Sequence, residues 1–246
     1  MFDELKMAAG VISDSVTDDC PKPIGLAPSA IEDPGSMSGD LESSFEEPHG
    51  FAGGWGPDRA VFTMNNPATF ATFNSIMDNP TIGDERSFLR IGRITSERTD
   101  MLQSADLIPG NKYLVSIYCH NGASATFNEA SYDYSGLAKG VRVSSFFPRS
   151  VCSDQPSNIS AIITSDNARP SSVWAYVALT TNEPIVNLMF EEDSARIYND
   201  GRASGSHLSK GLFSEEGVLI GFDSLDGIIP GCEEYHCIVT YVIRVE

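Results

Sequence analysis

Two stretches of strict two-residue alternation constrain this chain more than any other feature. Lys112–His120 reads Lys-Tyr-Leu-Val-Ser-Ile-Tyr-Cys-His, with Tyr113, Val115, Ile117 and Cys119 at one parity and Leu114, Ser116, Tyr118 and His120 at the other. Cys237–Val245 repeats the pattern, with Cys237, Val239, Tyr241, Ile243 and Val245 alternating against Ile238, Thr240, Val242 and Arg244. Successive side chains of a strand point to opposite faces, so each run builds one apolar face as a strand and none as a helix. Further short runs follow at 140–147 (ended by Pro148), 158–164, 173–180, 185–190 and 195–198, the last before Asn199-Asp200-Gly201. Gly, Pro, Asn and Asp separate them, which is strand-and-turn punctuation. Helical signal is confined to one turn around 209–214 and a short candidate at 3–12 weakened by Gly10. The expectation is an all-β chain, an antiparallel β-sandwich, with the final strand central or paired to the strand at 113–119.

Charge divides the chain. Residues 1–50 hold 11 acids and 2 bases, a net of 2 − 11 = −9, and the whole chain carries −18. Pro21, Pro23, Pro28, Pro34 and Pro48 punctuate this acidic segment. It cannot bury enough apolar surface to offset its ordering entropy, so 1–52 reads as an irregular acidic extension and 53–246 as the β module. The only apolar positions clustered in it are Leu5, Met7, Val11, Ile12 and Val16, followed by Cys20. One reading leaves this leader disordered or folded back. The other docks it on an adjacent subunit, with Cys20 as an intersubunit cysteine, and builds a homopolymer. Near the start, Lys6 is the only base and Gly10 interrupts the apolar run, so a secretory signal is not expected there. So acidic a surface repels phosphate backbones and anionic lipids, which argues against nucleic-acid partners. No run approaches the roughly 20 apolar residues of a membrane span.

Five cysteines stand at 20, 119, 152, 232 and 237. An odd number leaves at least one thiol free or bonded to another chain. Cys119-His120 and His236-Cys237 are mirror images. Antiparallel pairing of their strands in that register sets Cys119 opposite Cys237 and His120 opposite His236. Three readings compete for the cysteine pair: a cross-strand disulfide, two buried thiols, or a zinc site. Zinc is disfavoured because neighbouring Cys and His on one strand face opposite ways.

Motifs for catalysis are missing: there is no GxSxG, Walker loop, strand-linked GxGxxG or HExxH. No catalytic residue and no cofactor is assigned. Acidic clusters at Glu191-Glu192-Asp193 and at Asp78 with Asp84-Glu85 offer oxygen ligands for Ca²⁺, weighed against the commoner solvated acidic loop. Trp55, Trp174, Tyr132 and Tyr134 are candidates for stacking on sugar rings, weighed against burial in the core. Gly83, Gly122, Gly201, Gly227 and Gly231 are expected at positions that demand an unusual backbone.

Several segments occur together in a fixed order. They are Trp55-Gly56-Pro57-Asp58-Arg59, Phe62-Thr63, Phe73-Asn74-Ser75-Ile76, and Asp78-Asn79-Pro80-Thr81-Ile82-Gly83-Asp84-Glu85-Arg86. Beyond them lie Tyr118-Cys119-His120-Asn121-Gly122-Ala123, Val141-Arg142-Val143-Ser144, Leu219-Ile220-Gly221 and Gly227-Ile228-Ile229-Pro230-Gly231-Cys232. In this order, residues 53–246 resemble an uncharacterised module of secreted and surface-anchored bacterial proteins, itself similar to the Ig-like repeat domains of bacterial and archaeal surface proteins. The resemblance implies an extracellular, Ig-like β module with a structural or adhesive role, or one that binds carbohydrate. It implies no catalytic residue. Cys119 and Cys237 depart from its pattern.

Overall fold

A computed structural model describes residues 54–96 and 99–246. These residues are all-β, in two six-stranded sheets. The first runs in the order β1 (Gly54–Gly56), β8 (Ser172–Thr180), β7 (Ser157–Thr164), β5 (Arg142–Phe146) and β11 (Val218–Leu219). Its sixth strand, β3 (Ser104–Asp106), pairs in parallel with β8, while the other pairs are antiparallel. The second sheet runs β2 (Leu89–Arg93), β4 (Lys112–Cys119), β12 (Cys237–Val245), β9 (Ile185–Phe190) and β6 (Ser150–Cys152). Strand β10 (Arg196–Tyr198) adds to β12. Helical structure among the described residues consists of short 3₁₀ turns, one of them at Lys210–Phe213, where the sequence carried its single helical turn.

The alternation predicted for β4 and β12 is the observed one. The two pair antiparallel over eight positions, from Cys237 opposite Cys119 to Arg244 opposite Lys112. β12 lies at the centre of its sheet, as the all-apolar parity of 237–245 requires. The inward residues of both sheets meet in one core. Tyr113, Val115, Ile117, Val239, Tyr241 and Ile243 face Ile159, Ala161, Ile163, Val173, Ala175 and Val177, all essentially inaccessible to water. One polar bond crosses this core, from Tyr241 Oη to Ser145 Oγ at 2.8 Å, and it satisfies a phenol that would otherwise be buried unpaired.

Sheet margins are short: β11 has 2 residues, β1, β3 and β6 have 3 each, and β2 has 5. The strands of two or three residues escaped the sequence reading because so short a run carries no measurable period. On β1, Gly54 and Gly56 lie opposite Tyr176 and Trp174. The two rings stack at 6.1 Å and 15° and lie across the glycines, where a β-carbon would overlap them.

The five glycines divide by mechanism. Gly83 and Gly227 have φ of 78° and 84°, the left-handed region that favours glycine. Gly231 is demanding for another reason: a β-carbon there would sit 2.6 Å from Ala123 Cβ and 2.7 Å from its carbonyl oxygen. Its requirement is therefore close approach of two chains. Gly201 is likewise crowded by Phe222, whereas a β-carbon at Gly122 would approach Ile76 at 3.3 Å and Thr72 at 3.8 Å.

Candidate functional site

The end of β4 is where the polar chemistry concentrates. Tyr113, Val115, Ile117 and Cys119 enter the core, so Tyr118 and His120 take the opposite face of the sheet. That face would be open to water, yet Tyr118 and His120 are 6% and 2% exposed. They are covered because the segments leading into β2 and β12, the two neighbours of β4, both pass over this end of the strand. Phe88, just before β2, accepts from Tyr118 N at 3.0 Å, which brings Glu85 alongside. On the other side Cys232 N donates to Asn121 O at 3.2 Å, which brings Glu233 into place at the head of a 3₁₀ turn, Glu233–Tyr235.

Asn74 anchors the strand end. It adopts φ of 49°, its amide donates to Tyr118 O at 2.8 Å, and its Oδ1 accepts from His120 N at 2.8 Å. Asn121 does the same for the loops: Nδ2 donates to Gly136 O at 2.7 Å and Ile229 O at 3.0 Å, while Oδ1 accepts from Thr72 N at 3.2 Å. Both side chains are fully buried and replace a ladder partner for backbone groups that no strand serves.

Inside this frame Glu85, fully buried, meets His120 Nδ1 at 2.9 and 3.0 Å through its two oxygens. Glu233 Oε2 lies 3.5 Å from the same nitrogen, and its side chain keeps 33% exposure. Asn79 Nδ2 donates to Glu85 at 2.6 Å and to both oxygens of Glu233 at 3.3 and 3.2 Å. Its amide orientation is fixed because Oδ1 accepts from Thr81 N and Ile82 N. The Tyr118 hydroxyl lies 3.3 and 3.2 Å from the Glu233 oxygens. Burial, and then the negative charges of Glu85 and Glu233, push this phenol far above its ordinary range, so it remains a donor. His120 Nε2 is buried without a hydrogen-bond partner.

Nearby cations are engaged elsewhere. Arg86 pairs with Asp84 at 2.8 Å and packs 3.9 Å over the Trp55 ring. Arg59 donates to Asn74 O at 2.9 Å, and burial together with the charge of Arg86 lowers its pKa to about 10. Among the described residues the cluster thus has two carboxylates and one imidazole with no guanidinium or ammonium hydrogen-bonded to either acid, though the Arg59 charge lies close enough to act on Glu85.

Sequence reasoning placed Glu85 in an oxygen cluster with Asp78 and Asp84, and the structure separates these three. Asp78 accepts from Met64 N, Asp84 holds Arg86, and Glu85 turns inward to His120. In the other acidic cluster, Glu191 binds Lys112 at 2.9 Å and Glu192 binds Lys210 at 3.0 Å, so these acids are matched by lysines. Glu233 was missed altogether. The available signal was that the quoted segments 78–86, 118–123 and 227–232 all border the cluster, a convergence visible only in three dimensions.

Cys119 and Cys237 stand opposite each other in the expected register, and both are free thiols, as is Cys232. The buried-thiol reading describes the pair, and the cross-strand disulfide is absent. Burial, then the neighbouring Cys237, holds the Cys119 thiol well above its ordinary pKa, and burial raises Cys237 to about 11. Neither is a ready nucleophile near neutral pH. Of the aromatic candidates, Trp55 packs against the core, Trp174 is half-buried on the outer face beside Tyr176, and Tyr132 and Tyr134 are exposed. Leu5, Met7, Val11, Ile12, Val16 and Cys20 lie outside the described residues.

No protein-family model matches this chain, and neither a curated protein nor a solved structure matches it. Among the described residues no helix is long and apolar enough to cross a membrane.

Proposed function

We propose that this chain is a non-enzymatic structural or adhesive module of the cell surface, an Ig-like β-sandwich that assembles into a homopolymer through its N-terminal segment. The observation that carries this reading is the way the chain enters the fold. β1 is an edge strand, so the segment before Gly54 leaves from a sheet margin and can reach a neighbouring copy. Margins of 2 to 5 residues give two modules little ladder to share directly, which leaves assembly to the added segment. Residues 1–20 hold the apolar positions for such docking, and about 35 residues of linker, at up to ~3.3 Å each, span well beyond one module. Deleting residues 1–20 tests it by light scattering. The full chain is expected as a large species and the truncated chain as a monomer; equal sizes overturn the reading.

A specific observation favours a carbohydrate-binding reading as the second. Trp174 and Tyr176 form a flat, half-exposed aromatic surface on the outer face of the first sheet, held in place by the glycines of β1. Sugar rings stack on such surfaces through their apolar faces. Binding of the monomer to a glycan array, lost in Trp174→Ala, would move the conclusion to this reading.

A further inference from the structure

We propose that Glu85, His120 and Glu233 bind one divalent transition-metal ion, of the zinc or manganese kind, which clips the segments leading into β2 and β12 onto the end of β4. The inference goes beyond the structural role above and does not depend on it.

Three observations carry it. The first is donor geometry. One atom from each residue lies within 4.8 Å of the others. The contacts from Nδ1 are 2.9 Å to Glu85 Oε1 and 3.5 Å to Glu233 Oε2. An ion about 2.1 Å from each ligand at tetrahedral angles separates those ligands by roughly 3.4 Å, so small side-chain shifts suffice. The second is charge. Among the described residues neither carboxylate is hydrogen-bonded to an arginine or lysine, although the charge of Arg59 acts on Glu85 from nearby, and buried charges such as that of Glu85 are normally paired or coordinated. The third is the outer layer. Asn79 Nδ2 and the Tyr118 hydroxyl reach the carboxylates as donors, which is how second-layer groups orient metal-binding acids.

The donor set selects the ion. One imidazole with two carboxylates suits zinc or manganese, whereas Ca²⁺ takes about 6–8 oxygens. A metal ligand must offer the free Nδ1 lone pair, so any proton held there leaves to solvent as the ion takes its place between ring and carboxylates. Glu233, the half-exposed member, provides the route in and leaves a coordination position for water.

The test uses the full chain stripped with EDTA, dialysed against Zn²⁺, Mn²⁺ or Ca²⁺, with bound metal counted by elemental analysis and stability read as the melting temperature. One Zn²⁺ or Mn²⁺ per chain is expected. At about 100 times the dissociation constant the melting temperature should rise by roughly 5–10 °C. Glu233→Gln, a near-isosteric change at a part-exposed position, should weaken binding more than about tenfold, and His120→Gln should abolish it. If His120→Gln does not fold, Glu233→Gln decides alone. Three outcomes overturn the proposal: no bound metal, binding unchanged in Glu233→Gln, or preference for Ca²⁺.

Discussion

Tyr241→Ala is expected to lower the melting temperature by about 10–15 °C. Tyr241 lies in the middle of the central strand β12, is fully buried, and packs against Phe213 at 5.1 Å, Phe147 at 6.3 Å and Phe190 at 6.4 Å between ring centres. Truncating an aromatic of this kind costs about 3–5 kcal/mol, because the cavity adds to the lost transfer energy. For a domain of this size each kcal/mol is worth roughly 2–4 °C. Tyr241→Phe separates the ring from its hydroxyl. It keeps the packing and loses only the bond to Ser145, whose Oγ still donates to Ser160 O at 2.9 Å. That variant should fall by about 2–4 °C, near 1 kcal/mol. Differential scanning calorimetry of the three proteins checks both values, and equal losses for Ala and Phe would show that the bond, not the ring, dominates.

Asn121→Ala is expected to be as damaging although it removes little apolar surface. Its side chain joins Thr72, Gly136 and Ile229, which come from three separate loops. Ile229 O keeps a second partner in Ala138 N, but Thr72 N and Gly136 O would be left buried and unpaired. Each orphaned group costs about 1–3 kcal/mol, so the two together cost roughly 2–6 kcal/mol, or about 4–24 °C, centred near 10 °C. Asn121→Asp should fare little better, since a carboxylate would aim an oxygen at the Gly136 and Ile229 carbonyls. The distinguishing readout is limited proteolysis: cleavage within 124–139 should appear in Asn121→Ala and not in Tyr241→Phe. A melting temperature within about 2 °C of the parent would show that water satisfies the freed groups.

The two long strands and their register were legible because each presents an unbroken apolar parity, and a slip of one residue would turn Tyr241 and Ile117 out of the core. Cys119 opposite Cys237 was the conditional register suggested by the mirror-image Cys119-His120 and His236-Cys237 pairs, and it is the one observed. Whether they bridge did not follow from it, since that depends on side-chain geometry and redox conditions and not on register. Gly231 was legible as a constrained position but not as to cause: its neighbour Ala123 is 108 residues away in the chain.

What the sequence determined by itself is the all-β character, the main strands and the acidic division at about residue 50, because these depend on local period and composition; the pairing of β4 with β12 was one of two expectations for the last strand, and the fold fulfils both. What only the tertiary structure decided is the polar cluster. Glu85, His120 and Glu233 are separated by 35 and 113 residues, and each alone reads as an ordinary loop or strand-end residue. They meet because β2 and β12 flank β4, so the approaches to both strands cover its outward-facing end. Burial then turns three water-soluble side chains into a site. For Glu85 and His120, which the fold closes off from solvent, charge and hydrogen-bonding capacity must be satisfied by whatever lies within about 3 Å.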